Sequence, residues 1–159
     1  KVNPATAKFM LDHYVDLKPG DWVVQNAGNS AVGRYLIQLA KAKGVQSINI
    51  VRREGLEKEL TKLGADLVLV EGEDLPEKVR AELGDANIPL AIDAVAGKTT
   101  LSLGGILSEE GCRQLWTPER GSVSIDCGHG NFQRNHTDWF LACQNLRGDD
   151  CRSEAAALQ

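Results

Sequence analysis

Two clusters of residues in this chain could hold an anion, and they stand at a telling separation. Gly28-Asn29-Ser30-Ala31-Val32-Gly33 has the spacing of the glycine turn at which backbone amides and a helix N-terminus approach a diphosphate, with serine at the middle position where glycine is usual. In that pattern Gly28 permits the tight turn and Gly33 lets helix and strand pack closely. Ser30 adds only a small side chain, whose hydroxyl can cap the helix or donate to a phosphate oxygen. About 20 residues further on, dinucleotide domains that prefer NAD carry a carboxylate for the ribose hydroxyls. Here the chain has Arg52-Arg53 instead. Guanidinium groups at that place can grip a 2'-phosphate through paired, charge-assisted hydrogen bonds, which favours NADPH; Glu54 beside them is a contrary charge.

Other chemistries stay open on the same residues. A serine between strand and helix is where α/β-hydrolases place their nucleophile, but that elbow requires Gly-x-Ser-x-Gly. Gly28-Asn29-Ser30-Ala31-Val32 ends instead on a β-branched residue. His129 or His136 could act as base to Ser30, with Asp93 or Asp126 as orienting carboxylate, and a plain tight turn of any α/β protein is the third alternative. Cys127, His129, His136 and Cys143 do not fit the usual spacing of a structural zinc site, so no metal is expected. The four cysteines include no C-x-x-C pair and read as free thiols.

The elements that must position these residues follow a regular beat. Asn3-Pro4 opens a first helix carrying Ala7, Met10, Leu11 and Tyr14 at helical spacing. Pro19-Gly20 suits the centre of a type II turn leading into a strand at Trp22–Gln25. Val32, Tyr35, Leu36, Leu39 and Ala40 mark the helix after the glycine turn, closed by Gly44. A second strand over Ser47–Val51, a helix on Leu56, Leu60 and Leu63, and a third strand over Leu67–Val70 come next. Asp74-Leu75-Pro76-Glu77 resembles a capping box before a helix reaching Leu83, and Pro89–Asp93 is a fourth strand. Beyond Gly97 the spacing predicts a helix over Lys98–Leu107, a turn at Leu115–Arg120, a fifth strand at Gly121–Asp126 and a sixth at Trp139–Leu146. Strands alternating with helices predict an α/β class, a doubly wound parallel sheet (Rossmann fold) with helices on both faces.

The 159 residues suffice for one domain, expected over residues 1–148, with 149–159 as a frayed tail. No apolar run approaches the ~20 residues that span a bilayer, and a net charge of -4 without a sustained basic run leaves no nucleic-acid footprint. Neither a membrane nor a nucleic acid is an expected partner. The first residues lack the pattern of a secretory signal, and without an initial methionine the chain reads as a fragment or a processed product.

Taken together, Asn3-Pro4-Ala5-Thr6-Ala7, Pro19-Gly20-Asp21-Trp22-Val23-Val24-Gln25-Asn26, Asn29-Ser30-Ala31-Val32-Gly33, Ile37-Gln38-Leu39-Ala40, Asn49-Ile50-Val51-Arg52 and Leu63-Gly64-Ala65-Asp66 resemble the cofactor domain of the mitochondrial-type trans-2-enoyl-CoA reductases and their bacterial relatives, in the medium-chain dehydrogenase/reductase superfamily. Asn-Ser-x-Val-Gly separates that group from quinone-oxidoreductase-like members, whose turn is richer in glycine, and it favours the phosphate cradle. The resemblance implies that Asn29, Ser30, Ala31 and Val32 contact the NADPH diphosphate and ribose, that Arg52 and Arg53 take the 2'-phosphate, and that Asn3, Cys127 and Gly128 reach the nicotinamide half. It implies reduction of a 2-enoyl thioester, as in fatty acid synthesis, with the supporting tyrosine and the GroES-like catalytic domain absent from this chain. No catalytic residue is therefore assigned here. It implies a mitochondrial matrix location in a eukaryote or a cytoplasmic one in a bacterium, and leaves a homodimer open. A quinone-oxidoreductase-like NADPH reductase and a non-catalytic nucleotide-sensing module remain the alternatives. After Leu146-Arg147-Gly148 the chain has Asp149-Asp150 where the family has Phe-Trp.

Overall fold

In the computed structural model, residues 2–96, 98–107, 112–117, 121–126 and 132–134 are described. The strand expected at Trp139–Leu146, the tail after Gly148, and Cys127, Gly128, His129, His136 and Cys143 lie outside them.

The first helix, α1 (Val2–His13), starts one residue before the expected Asn3 cap, so Pro4 sits in the first turn, where a missing N–H leaves no helical bond unmade. The chain then reverses at Pro19-Gly20. Asp21 N–H donates to the Lys18 carbonyl at 3.0 Å and Gly20 has φ +94°, the left-handed conformation that the second central residue of a type II turn requires. β1 (Trp22–Gln25) follows, then α2 (Ala31–Lys43), β2 (Gln46–Val51), α3 (Glu57–Leu63), β3 (Leu67–Val70), α4 (Leu75–Leu83), β4 (Leu90–Ile92) and α5 (Lys98–Ile106). Gly44 and Gly64 close α2 and α3 in the left-handed conformation, each returning its N–H to the last turn of the helix.

The sheet order is β3-β2-β1-β4-β5-β6-β7, with β5 at Cys112–Thr117, β6 at Gly121–Asp126 and β7 at Phe132–Arg134. The first five strands in that order pair in parallel, and β6 and β7 extend the sheet antiparallel. The fold is the doubly wound Rossmann type. Two expectations are corrected. Leu115–Thr117, expected in a turn, belongs to β5 and pairs with Ala91–Ile92 of β4 and with Gly121–Val123 of β6. Gly121–Asp126 is a strand but the sixth, running antiparallel to β5 rather than continuing the parallel series.

Alternate strand residues face opposite helical layers. Val23 of β1 packs with Leu36 and Ala40 of α2 and with Ala7, Met10 and Leu11 of α1. Val24, Ile48, Ile50 and Ala91 point the other way, onto Leu75 and Val79 of α4 and Leu103 and Ile106 of α5. Leu36 and Ile37 are fully buried, and each such side chain contributes about 1.5–3 kcal/mol relative to exposure. That packing fixes where α2 begins, directly above the carboxyl end of β1.

Candidate functional site

The segment between β1 and α2 folds around three contacts. Ser30 N–H donates to the Ala27 carbonyl at 2.8 Å, Gly28 N–H to Ile50 of β2 at 3.1 Å, and Gly33 N–H to Ser30 Oγ at 3.0 Å. Ser30 is thus the N-cap of α2, as its position suggested, and the hydroxyl leaves the fold of the turn intact. The glycines divide their work differently from the expected pattern. The left-handed residue is Ala27, at φ +48°, and neither Gly28 nor Gly33 has positive φ. Gly28 is favoured by proximity instead, since a Cβ there would stand 3.0 Å from Asn49 Cβ and crowd β2. A Cβ on Gly33 would stand 2.7 Å from the Gly28 carbonyl oxygen and 2.9 Å from that of Ala27, so the last glycine permits a close approach to the turn itself rather than to the strand.

Among the described residues, the N–H groups of Asn29, Ala31 and Val32 have no hydrogen-bond partner. The first turn of α2 carries no acidic side chain that would occupy its positive end. Asn29, the first of those three residues, lines a cleft of about 240 Å³ together with Ala27, Ser30, Arg52, Arg53 and Leu56. Arg52 and Arg53 are exposed and, among the described residues, make no ion pair or hydrogen bond. The structure thus brings four of the expected residues, Asn29, Ser30, Arg52 and Arg53, to one cleft. Ala31 is exposed at the helix start and does not line it, and Val32 turns its side chain to the core cluster of α1 and α2, so these two offer backbone amides. Asn3, half-buried in the first turn of α1, does not line it either.

Two polar groups brace the site, and of their members the sequence singled out only Asp93, and that as the orienting carboxylate of a triad. Gln25, fully buried, donates from Nε2 to the Gly33 carbonyl at 3.0 Å and to Asn49 Oδ1 at 2.7 Å. Asn49 donates in turn to the Ser47 carbonyl and hydroxyl and to the Leu67 carbonyl at 3.0–3.2 Å. The second group ties the carboxyl ends of β1 and β4, where the strand order reverses and open α/β sheets place their ligands. Asn26 Nδ2 donates to Asp93 Oδ1 at 2.6 Å, Ala94 N–H returns to Asn26 Oδ1 at 2.6 Å, and Val95 N–H, Ala96 N–H and the Thr100 hydroxyl also donate to the Asp93 carboxylate. Burial raises the Asp93 pKa, but the bonds from Thr100, Ala96, Asn26 and Val95 outweigh it and leave the carboxyl below its ordinary value. Among the described residues the Asp93 carboxylate accepts from these groups; His129 and His136, the bases a hydrolase triad would pair with it, lie outside them.

Nearby, Arg34 of α2 donates from Nε to the Asn29 carbonyl at 3.1 Å and pairs with Glu59 of α3 at 2.5 Å, tying the turn to the helix after the arginines. The capping box expected at Asp74 does not form. Its side chain pairs with Lys78 at 3.1 Å and caps no amide, because an ion pair one turn along competes for the same carboxylate.

No protein-family model matches the chain. It is 41% identical over 137 residues to the mitochondrial enoyl-[acyl-carrier-protein] reductase of Caenorhabditis elegans, an alignment covering 82% of this chain and 38% of that protein. Its fold matches the mycobacterial protein Rv1454c, solved as a complex with NADPH, with a TM-score of 0.66 at 30% identity, covering 75% of this chain and 37% of the other. It also matches the mitochondrial 2-enoyl thioester reductase heterodimer Etr1p/Etr2p from Candida tropicalis, with a TM-score of 0.64 at 34% identity over 72% of this chain and 34% of that one. The chain spans little more than a third of each relative's length.

Proposed function

We propose that this chain, which resembles the cofactor-binding domain of mitochondrial-type enoyl thioester reductases in the medium-chain dehydrogenase/reductase superfamily, binds NADPH for the reduction of a 2-enoyl thioester. The observation that carries the reading is a single cleft lined by Asn29 and Ser30 of the phosphate turn and by the unpaired guanidinium groups after β2, with unpaired amides running from Asn29 into the first turn of α2. A diphosphate needs the first and a 2'-phosphate the second.

Asn29, Ala31 and Val32 offer N–H groups to the diphosphate, Ser30 holds the helix start that presents them, and Arg52 and Arg53 receive the 2'-phosphate. When bound, NADPH supplies the hydride that adds to the β-carbon of the enoyl thioester. The protein's part is orientation: the Asn26–Asp93 tie keeps the β1–β4 crevice at a fixed width. Residues 1–148 act as this domain, with Asn3, Cys127 and Gly128 on the nicotinamide side. The tyrosine that supports the enolate, and the domain that carries it, belong to a part of the enzyme outside this sequence. The named relatives support a mitochondrial location for a eukaryotic source; the heterodimer of the Candida tropicalis relative supports an oligomeric assembly, for which we propose a homodimer.

Calorimetric titration with NADPH and NADH tests the cofactor assignment. The chain should bind both and prefer NADPH; equal affinity, or no binding of either, refutes it. Linked to its catalytic domain, the chain should support NADPH-dependent loss of a 2-enoyl-CoA, and turnover of quinones alone would transfer the assignment to a different reductase.

A further inference from the structure

The buried amides of Gln25 and Asn49 lie beneath the cleft without touching it, and their placement links its two ends. They are register partners on the parallel strands β1 and β2, so their side chains share one face of the sheet. Gln25 closes the strand that feeds the phosphate turn, and its Nε2 reaches both Gly33 of α2 and Asn49. Asn49 stands three residues before Arg52, roughly 10 Å along the strand. It packs tightly under Gly28, where a Cβ would stand 3.0 Å from Asn49 Cβ, while Gly28 N–H bonds to the adjacent Ile50. Through Leu67 the same amide also reaches β3.

We propose that Gln25 and Asn49 are positioning residues that hold the phosphate turn and the arginine pair in one fixed relation, so that both phosphate ends of a 2'-phosphorylated dinucleotide are gripped together. This rests on the assignment of the cleft to NADPH. Both residues are fully buried, and Val23 and Val51, two residues away on the same face, already give β1 and β2 apolar contacts with the neighbouring helices, while Ser47 adds a further polar partner for Asn49. An amide pair with four backbone and side-chain acceptors instead fixes the register and the depth of the turn, since each bond restricts direction as well as distance.

A structural role alone would lower the affinity for every nucleotide in proportion to the folded fraction. A positioning role changes the ratio between nucleotides that differ only in the 2'-phosphate. In Asn49→Leu the preference for NADPH over NADH should fall roughly tenfold, the middle of the range for residues coupled in one network, while the affinity for NADH moves by less than about threefold. Gln25→Met, which leaves the bonds of Asn49 to Ser47 and Leu67 in place, should act in the same direction with a milder effect on folding. In the unaltered chain, 2'-AMP, which carries only the arginine-binding end, should shift the side-chain amide resonances of Gln25 and Asn49. An unchanged NADPH/NADH ratio in variants that fold, or amide resonances silent to 2'-AMP, overturns the positioning role while leaving the cofactor assignment in place. Absence of any NADPH preference in the unaltered chain overturns both.

Discussion

Replacing Arg52 and Arg53 together by alanine should abolish most of the discrimination between NADPH and NADH, and the size of the loss follows from their surroundings. Both are exposed and, among the described residues, unpaired, so binding a phosphate breaks no internal ion pair. A hydrogen bond to a charged group is worth about 1.5–3 kcal/mol, and water and salt in an open cleft reduce this to about 1–2 kcal/mol per guanidinium. Two such groups give about 2–4 kcal/mol, a preference of about 30- to 1000-fold. Titration calorimetry of the double variant should find NADPH weakened by that factor and NADH changed by less than about threefold. Raising the salt should shrink the preference in the unaltered chain, because the screening length falls from about 10 Å at 0.1 M to about 3 Å at 1 M. The reasoning fails if the double variant loses both nucleotides equally, or if the preference survives both the substitution and the salt.

Gly33→Ala would push a methyl to 2.7 Å from the Gly28 carbonyl oxygen, and urea unfolding should report a loss of about 1–3 kcal/mol together with weaker binding of every nucleotide. Ser30→Ala removes the cap on Gly33 N–H and should cost about 1 kcal/mol in the same assay while keeping the NADPH preference; a reversed preference would mean the hydroxyl selects the nucleotide. The pKa of Asp93 is depressed in the folded chain, so its carboxylate contributes stability that is present above its unfolded value and lost as the pH falls through the folded one. Asp93→Asn should therefore cost about 1–3 kcal/mol at neutral pH, and the gap between variant and unaltered chain should narrow below about pH 4. A gap independent of pH would show that the charge contributes nothing.

The fold was legible as far as periodicity and turn chemistry extend. Gly20, Gly44 and Gly64 each occupy the left-handed conformation that their place after a proline or at a helix end implied, and the strands between them fall where expected. Past Gly97 the expected helix over Lys98–Leu107 and strand at Gly121–Asp126 are present, but β5 was missed for a definable reason. Cys112-Arg113-Gln114-Leu115-Trp116-Thr117 lacks alternation, and the Pro118 and Gly121 around its end drew the expected turn back over residues that are strand. What makes those residues a strand is pairing with β4 on one side and β6 on the other, a tertiary cause that no local window contains.

The site was legible for a related reason and hidden for another. Amide donors and guanidinium groups announce themselves by type and spacing, so Asn29, Ser30, Arg52 and Arg53 could be named in advance and the structure gathers them at one cleft. The groups that hold them cannot be named that way, because Gln25, Asn49 and Asn26 are ordinary polar residues whose meaning comes from strand register, and Asp93 could be named only in a different role. The displacement of the strained backbone from Gly28 to Ala27 makes the same point. A left-handed alanine carries roughly 1–2 kcal/mol of strain that a glycine would not. The glycine stands one residue later instead, where β2 passes so close that a Cβ would crowd Asn49 at 3.0 Å. Close approach to Asn49 thus outranks local conformational ease, which ties the shape of the phosphate turn to the neighbouring strand that also carries the arginines.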